Sequence, residues 1–322
     1  MKRHSTILAA LALATPALAN DSTAEHAAGG LVLTRSADID MVSEDLFVSA
    51  GEIRVRYVFR NRSPRDVSTT VAFPMPDRDR TEEHFQDSAY PDDFRTTAGG
   101  RAVKMAVERK AVLKGTDRTA ELKRLGVTPD SSGEALDALA PADRERLVDQ
   151  RLAAIDEYDD GKGWERHLVP AWTEKETWYW EQVFPAGRDL VVEHRYVPGT
   201  GGSVGTALAD REFRASPEGR QMIADYCIDG AFLAGLDRLT RRTGGLVPEM
   251  RVGYVLTTGA NWRSPIGDFR LVVDKEAPGN LVSFCADGVR KISPTQFEVR
   301  HRNWRPDRDL KVLIVTPGGP AG

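Results

Sequence analysis

Hydrophobic and polar positions alternate with a period of two over much of this chain. Ile53, Val55, Tyr57 and Phe59 alternate with Arg54, Arg56 and Arg60, which predicts a strand with one buried face and one wet face. Asn61-Arg62-Ser63-Pro64 is turn chemistry, and Val67, Thr69, Val71 and Phe73 resume the alternation, so an antiparallel hairpin is expected over residues 51–73. The same period marks Val103, Met105 and Val107, then Trp178, Trp180 and Val183, then Leu190, Val192 and Tyr196. It returns at Val252, Tyr254 and Leu256, at Phe269, Leu271 and Val273, at Phe297 and Val299, and at Leu310, Val312 and Ile314. Strands joined by short polar turns argue for antiparallel sandwiches rather than a parallel sheet.

Helical spacing interrupts this pattern twice. Ser131, three residues before Glu134, has the spacing of a capping box. Leu136, Leu139, Leu147, Leu152 and Ile155 follow, with Pro141 placed to open a second helix. Residues 115–158 therefore read as a helical insertion whose sparse apolar stripe suits docking on a β surface. Near 216–242, Ser216-Pro217 and Asp229 are start signals, and Phe232, Leu233, Leu236 and Leu239 recur at helical spacing. The stretch Pro198 to Gly205 is the most linker-like, so a boundary is expected near residue 206. The fold class is mainly β within α+β: antiparallel β-sandwich domains, the helical insertion, and a short helical segment before the C-terminal strands. The expected domains are 20–205 and 206–322.

The N-terminus changes the picture. Lys2 and Arg3 precede an apolar run from Ile7 to Ala14, and Ala17-Leu18-Ala19 supplies a small-x-small cleavage site. The run is shorter than the roughly 20 apolar residues a membrane span needs. Residues 1–19 thus read as a signal peptide cut between Ala19 and Asn20. No cysteine follows the site to accept a lipid. The expectation is a soluble periplasmic protein.

In 322 residues, 41% are hydrophobic and 29% charged, which supports a packed core and excludes wholesale disorder. Cleavage would remove Lys2 and Arg3 and take the formal charge from −4 to −6. Such a chain lacks the basic excess of a nucleic-acid binder. Export to an oxidising compartment favours a disulfide between Cys227 and Cys285, the two cysteines of the sequence.

Candidate chemistry is thin. Gly201-Gly202-Ser203-Val204-Gly205 matches the nucleophile elbow in letters, with Ser203 as nucleophile. Its glycine-rich, antiparallel surroundings suit a loop instead. Asp77, Asp79, Glu82, Glu83, His84 and Asp87 form an acidic cluster that could hold calcium, but Arg78 and Arg80 interleave the carboxylates. Asp156 to Gly161 begins like an EF-hand loop and fails at its last position, His167. His26, His84, His167, His194 and His301 show no zinc spacing, and His194 shares a strand face with Val192 and Tyr196. Trp172, Trp178, Tyr179 and Trp180 form a dense aromatic patch, one face of which is a candidate partner surface. No catalytic, cofactor-binding or metal-ligating residue is assigned, and no cofactor is expected.

Asn20 to Glu25 followed by Gly29-Gly30-Leu31-Val32-Leu33, Val71 to Asp77, Gly201 to Gly205 and Tyr226-Cys227 resemble the landmarks of a bacterial exported family, domain of unknown function 4424. The resemblance spans the mature chain and implies no activity, because none is assigned to the family. Tyr57 to Asn61, Phe73 to Pro76, Gly99 to Arg101, Val107 to Arg109 and Phe184 to Gly187 before Val191 to Tyr196 are similar, in order, to the antiparallel vault/inter-alpha-trypsin module. The Asp-x-Ser-x-Ser adhesion motif often joined to that module does not occur, so metal-dependent adhesion is not implied. The function expected is an exported, non-catalytic envelope protein that binds or scaffolds. Its partner would be another envelope protein or a surface ligand, with no nucleic acid and no membrane span. The alternative is a periplasmic serine hydrolase using Ser203, or a metal-binding enzyme using the carboxylates near Asp77.

Overall fold

A computed structural model describes residues 20–27, 30–81, 93–159 and 163–317. Among these the strands form sheets of eight, seven, four and two strands. The eight-stranded sheet is built around Ile39–Val48, Ile53–Asn61, Asp189–Tyr196 and Ile266–Asp274. The seven-stranded sheet is built around Val67–Pro74 and Thr173–Phe184. The architecture is β-rich with a few helices, as the periodicity requires.

The two large sheets face each other across one core. Ile53, Val55, Tyr57 and Phe59 turn inward, as their alternation with arginine predicts. Phe59 packs edge-on against Phe184 at 5.7 Å, and Phe73 against His194 at 4.9 Å, each contact joining one sheet to the other. Each such phenylalanine fully buried contributes about 1.5–3 kcal/mol.

The expected hairpin over 51–73 is not formed. Ile53–Asn61 pairs with Ile39–Val48 and Asp189–Tyr196, whereas Val67–Pro74 pairs with Ser22–Ala27 and Thr173–Phe184. The turn carries the chain from one sheet to the opposite one. Asn61 makes that possible: its Nδ2 donates to Arg65 O and Phe184 O, both at 2.8 Å, and its Oδ1 accepts from Ser63 N–H. A local pattern gives a strand its faces but not its neighbour.

Pairing is antiparallel with one exception among the described strands. Ile266–Asp274 runs parallel to Ile39–Val48. That pair places a C-terminal strand beside an N-terminal one. The boundary expected at residue 206 therefore cuts through a shared sheet, and the core draws on both sides of it, from Ile39 to Ile314. The linker-like glycines are an edge strand, Thr200–Ser203, paired with Glu249–Tyr254. A Cβ at Gly202 would lie 2.5 Å from Glu249 O, so close backbone approach requires glycine there.

The insertion is helical only over part of its expected length. Helices Thr119–Arg124, Gly133–Asp137 and Pro141–Asp149 are followed by a hairpin, Ala153–Asp159 with Trp164–Pro170. Pro141 opens its helix as expected, but the cap of the preceding one is Ser132, not Ser131. Ser131 Oγ instead accepts from Thr128 N–H at 3.0 Å. The stripe of Leu122, Leu136, Leu147 and Leu152 closes with Trp172 into a small core of its own.

In the C-terminal part, Ser216 caps Pro217–Asp225 and Asp229 caps Gly230–Thr243. The latter buries Phe232, Leu236 and Leu239 against the four-stranded sheet. Cys227 and Cys285 are joined, with 5.0 Å between their Cα atoms.

Candidate functional site

The outer face of the eight-stranded sheet carries an open groove of about 660 Å³. Its floor follows from strand register. Across five strands, Val272, Phe47, Arg54, Arg195 and Arg95 stand side by side in one row. The next row reads Arg270, Asp45, Arg56, Glu193 and Thr97.

The second row alternates in charge and is self-satisfied. Arg270 meets Asp45 at 3.0 Å, and Arg56 meets Glu193 at 3.7 Å. The first row does not alternate. Arg54, Arg195 and Arg95 are cross-strand neighbours of one sign, an arrangement that costs stability in a sheet. Glu52 answers two of them, at 2.8 Å from Arg54 and 2.5 Å from Arg195. Arg54 also lies over the Phe47 ring, 4.3 Å from its centroid. Arg95 has no ion-pair partner among the described residues. The groove thus presents excess positive charge beside an apolar shoulder of Phe47 and Val272.

Behind this face lies a buried polar centre. His194 is buried on the face shared with Val192 and Tyr196, as the alternation indicates. Its Nδ1 bonds Thr96 Oγ1 at 2.7 Å and its Nε2 bonds Asp21 Oδ1 at 3.0 Å. The rings of Tyr57, Phe73, Phe94 and Trp180 surround the imidazole. Trp262 Nε1 donates to Asp21 O at 2.7 Å, and Asn20 Nδ2 donates to Glu44 Oε2 at 2.9 Å. Burial pushes Asp21 above the usual carboxylate range, against the pull of His194. Burial also raises Glu44 to about 8; the Asn20 amide opposes the rise and Asp21 adds to it. Thr, His and Asp are linked here in the order of a nucleophilic relay, yet all three are buried.

The residues singled out from sequence fall elsewhere. Ser203 lies on the antiparallel edge strand, where its Oγ donates to Gly205 O at 2.9 Å and accepts from Gly205 N–H at 3.3 Å. That is turn geometry, not an elbow between a parallel strand and a helix. Asp77 pairs with Lys175 at 2.6 Å and Asp79 accepts from Thr81; Glu82, Glu83, His84 and Asp87 lie outside the described residues. Among the described residues no three His, Cys, Asp or Glu side chains gather to hold a metal ion.

The four aromatics are divided between cores. Trp172 is buried in the insertion core and donates to Pro129 O at 2.8 Å. Trp180 is buried in the main core, and Trp178 packs beside it, stacked on Phe94 at 5.2 Å. Tyr179 turns to the other face, against His26 and the Ala24–Leu31–Ala72 cluster. They do not make one exposed surface, because alternation sends Tyr179 opposite to its neighbours while the insertion covers Trp172. Sequence reading missed Arg95, Arg195 and Glu44. Glu44 had a signal: it shares parity with inward Leu46 and Val48, so a carboxylate was being sent into a core.

A family model, domain of unknown function (DUF4424), matches residues 19–313. The chain belongs to this family. A solved structure described as a "putative nutrient binding protein" of Legionella pneumophila subsp. pneumophila str. Philadelphia 1 is similar at 16% identity and a TM-score of 0.44, over 92% of this chain and 70% of that one. No curated protein matches the DUF4424 chain. No helix among its described residues is long and apolar enough to cross a membrane.

Proposed function

We propose that this protein is an exported, non-catalytic binding module of the bacterial envelope, which holds a small anionic ligand in the groove on its eight-stranded sheet. The observation that carries the reading is the like-charged row Arg54, Arg195 and Arg95, set beside Phe47 and Val272. Three arginines in register across neighbouring strands outnumber the one carboxylate, Glu52, that pairs with two of them, so the row has unspent positive charge to offer an anion. Guanidinium forks match carboxylate and phosphate oxygens, and the groove volume lies within the roughly 300–1,000 Å³ of small-ligand sites. The signal-like residues 1–19 and the Cys227–Cys285 bond support a periplasmic location.

The test is calorimetric titration of the mature chain with inorganic phosphate and with succinate, repeated on Arg95→Ala/Arg195→Ala. Saturable binding weakened at least about tenfold in the variant supports the groove; each lost charged hydrogen bond contributes about 1.5–3 kcal/mol. Binding that the variant leaves unchanged, or no binding of either anion, defeats it.

A further inference from the structure

The buried centre is short of a cation. Asn20, Asp21 and Glu44 are at most 1% exposed. Asp21 Oδ2, Glu44 Oε1 and Asn20 Oδ1 are buried without a hydrogen-bond partner. His194 is the basic side chain in contact with this group among the described residues, and both its nitrogens are committed, to Asp21 Oδ1 and Thr96 Oγ1. Two carboxyl groups therefore share a dry site with two oxygens unanswered. A carboxyl in that state must either keep its proton or gain a counter-ion, since ionised and unpaired it costs several kcal/mol.

The chain itself can supply one. Water added across the Ala19–Asn20 peptide bond by a signal peptidase leaves a carboxylate on Ala19 and an ammonium on the α-nitrogen of Asn20. That nitrogen belongs to the residue whose side chain bonds Glu44 at 2.9 Å, and the whole residue is shielded from water. The surroundings are shaped for it. A Cβ at Gly259 would lie 2.8 Å from Asn20 Nδ2, so glycine leaves room for this residue. Trp262 Nε1 holds Asp21 O, and Asn261 Nδ2 donates to Ser22 Oγ at 3.0 Å, which fixes the first three residues in place.

We infer that the α-ammonium of Asn20, created by cleavage after Ala19, is the cation that completes the buried Asp21–Glu44 centre, so that the core closes fully only on the mature chain. This rests on the export reading, in particular on cleavage at Asn20. The uncleaved chain carries a neutral amide at that atom and has no charge to offer the two acids. Maturation would then stabilise the same core whose opposite face carries the arginine groove, with Glu44 on the strand that also presents Asp45 and Phe47.

The experiment compares the exported chain, its N-terminus read by sequencing, with a chain that retains Ala19. In the native exported chain the α-amine should react with acetic anhydride more than about tenfold slower than in urea, because reaction requires local opening. The chain retaining Ala19 should melt several degrees lower. Glu44→Gln should erase most of that difference, which a merely steric effect of one added residue would not allow. An α-amine that reacts natively as fast as in urea, or equal melting of the two chains, overturns the inference. If Glu44→Gln fails to fold, the labelling ratio decides alone. An N-terminus other than Asn20 would remove both this inference and the cleavage it rests on; an Asn20 start with an unprotected amine would remove only the inference.

Discussion

Asp21 and His194 lie 173 positions apart in the chain and meet in the core, Oδ1 to Nε2 at 3.0 Å, with both side chains out of reach of water. The contact ties the residue just before the first described strand, Ser22–Ala27, to Asp189–Tyr196 inside the eight-stranded sheet. Thr96 Oγ1 on the other imidazole nitrogen fixes the ring, and Trp262 fixes the Asp21 carbonyl. The polar centre is therefore a clasp between four distant parts of the sequence, not an isolated pair.

His194→Ala should destabilise the protein by about 3–5 kcal/mol, because it leaves the Asp21 carboxyl buried without its partner. Asp21→Asn keeps a hydrogen-bonding group opposite the imidazole and should cost less than half as much. Urea titration of both variants reads the comparison, and equal losses would count against a clasp that depends on charge.

Reduction of Cys227–Cys285 should lower the melting temperature. The bond closes a loop of 58 residues, which in the chain-entropy model contributes about 4 kcal/mol through the unfolded state. Alkylation before and after reduction should find both thiols blocked and then free. Free thiols in the native protein would contradict the bond.

Glu298 should make stability fall in acid. Hydrogen bonds from Arg300, Arg270 and Arg290 hold its carboxyl at about 2, below its ordinary 4.5. A folded pKa lower than the unfolded one means that this contribution is complete above about 4.5 and drains away as the pH falls toward 2. The melting-temperature gap between the wild type and Glu298→Gln should therefore be constant near neutrality and close between those two values. A gap that stays constant down to pH 2 would show that the arginine cluster does not act through charge.

Trp172→Ala should loosen the insertion without melting the main core. Its ring fills the small core of Leu122, Leu136, Leu147 and Leu152, and removing a buried Trp costs about 3–5 kcal/mol where it packs. Amide exchange over 119–149 should accelerate while the strands around Tyr57 keep their protection. Uniform acceleration across the chain would mean that the two cores unfold together.

Ser203→Ala should change stability by no more than about 0.5 kcal/mol, since the hydroxyl only closes a turn onto Gly205. A fluorophosphonate probe should leave Ser203 unlabelled. Labelling that the variant abolishes would revive a hydrolase.

Much of the fold was legible because burial imposes a period. Ile53 to Phe59 declared their inward face through the arginines between them, Ser216 and Asp229 declared helix starts through their capping chemistry, and two cysteines behind a signal-like N-terminus declared their bond. These are local rules, in which each residue answers to neighbours within a turn or a pleat. Pairing is not local. Nothing in Arg54 states that Arg195 and Arg95 will stand beside it, because register depends on which strands the core brings together, and here the turn at Asn61 sends the next strand to the opposite sheet. Likewise Asn20, Asp21 and Glu44 carry no motif in common. Only the closing of the sheets places them in one dry site, where burial leaves Asp21 Oδ2, Glu44 Oε1 and Asn20 Oδ1 without partners and raises both acids.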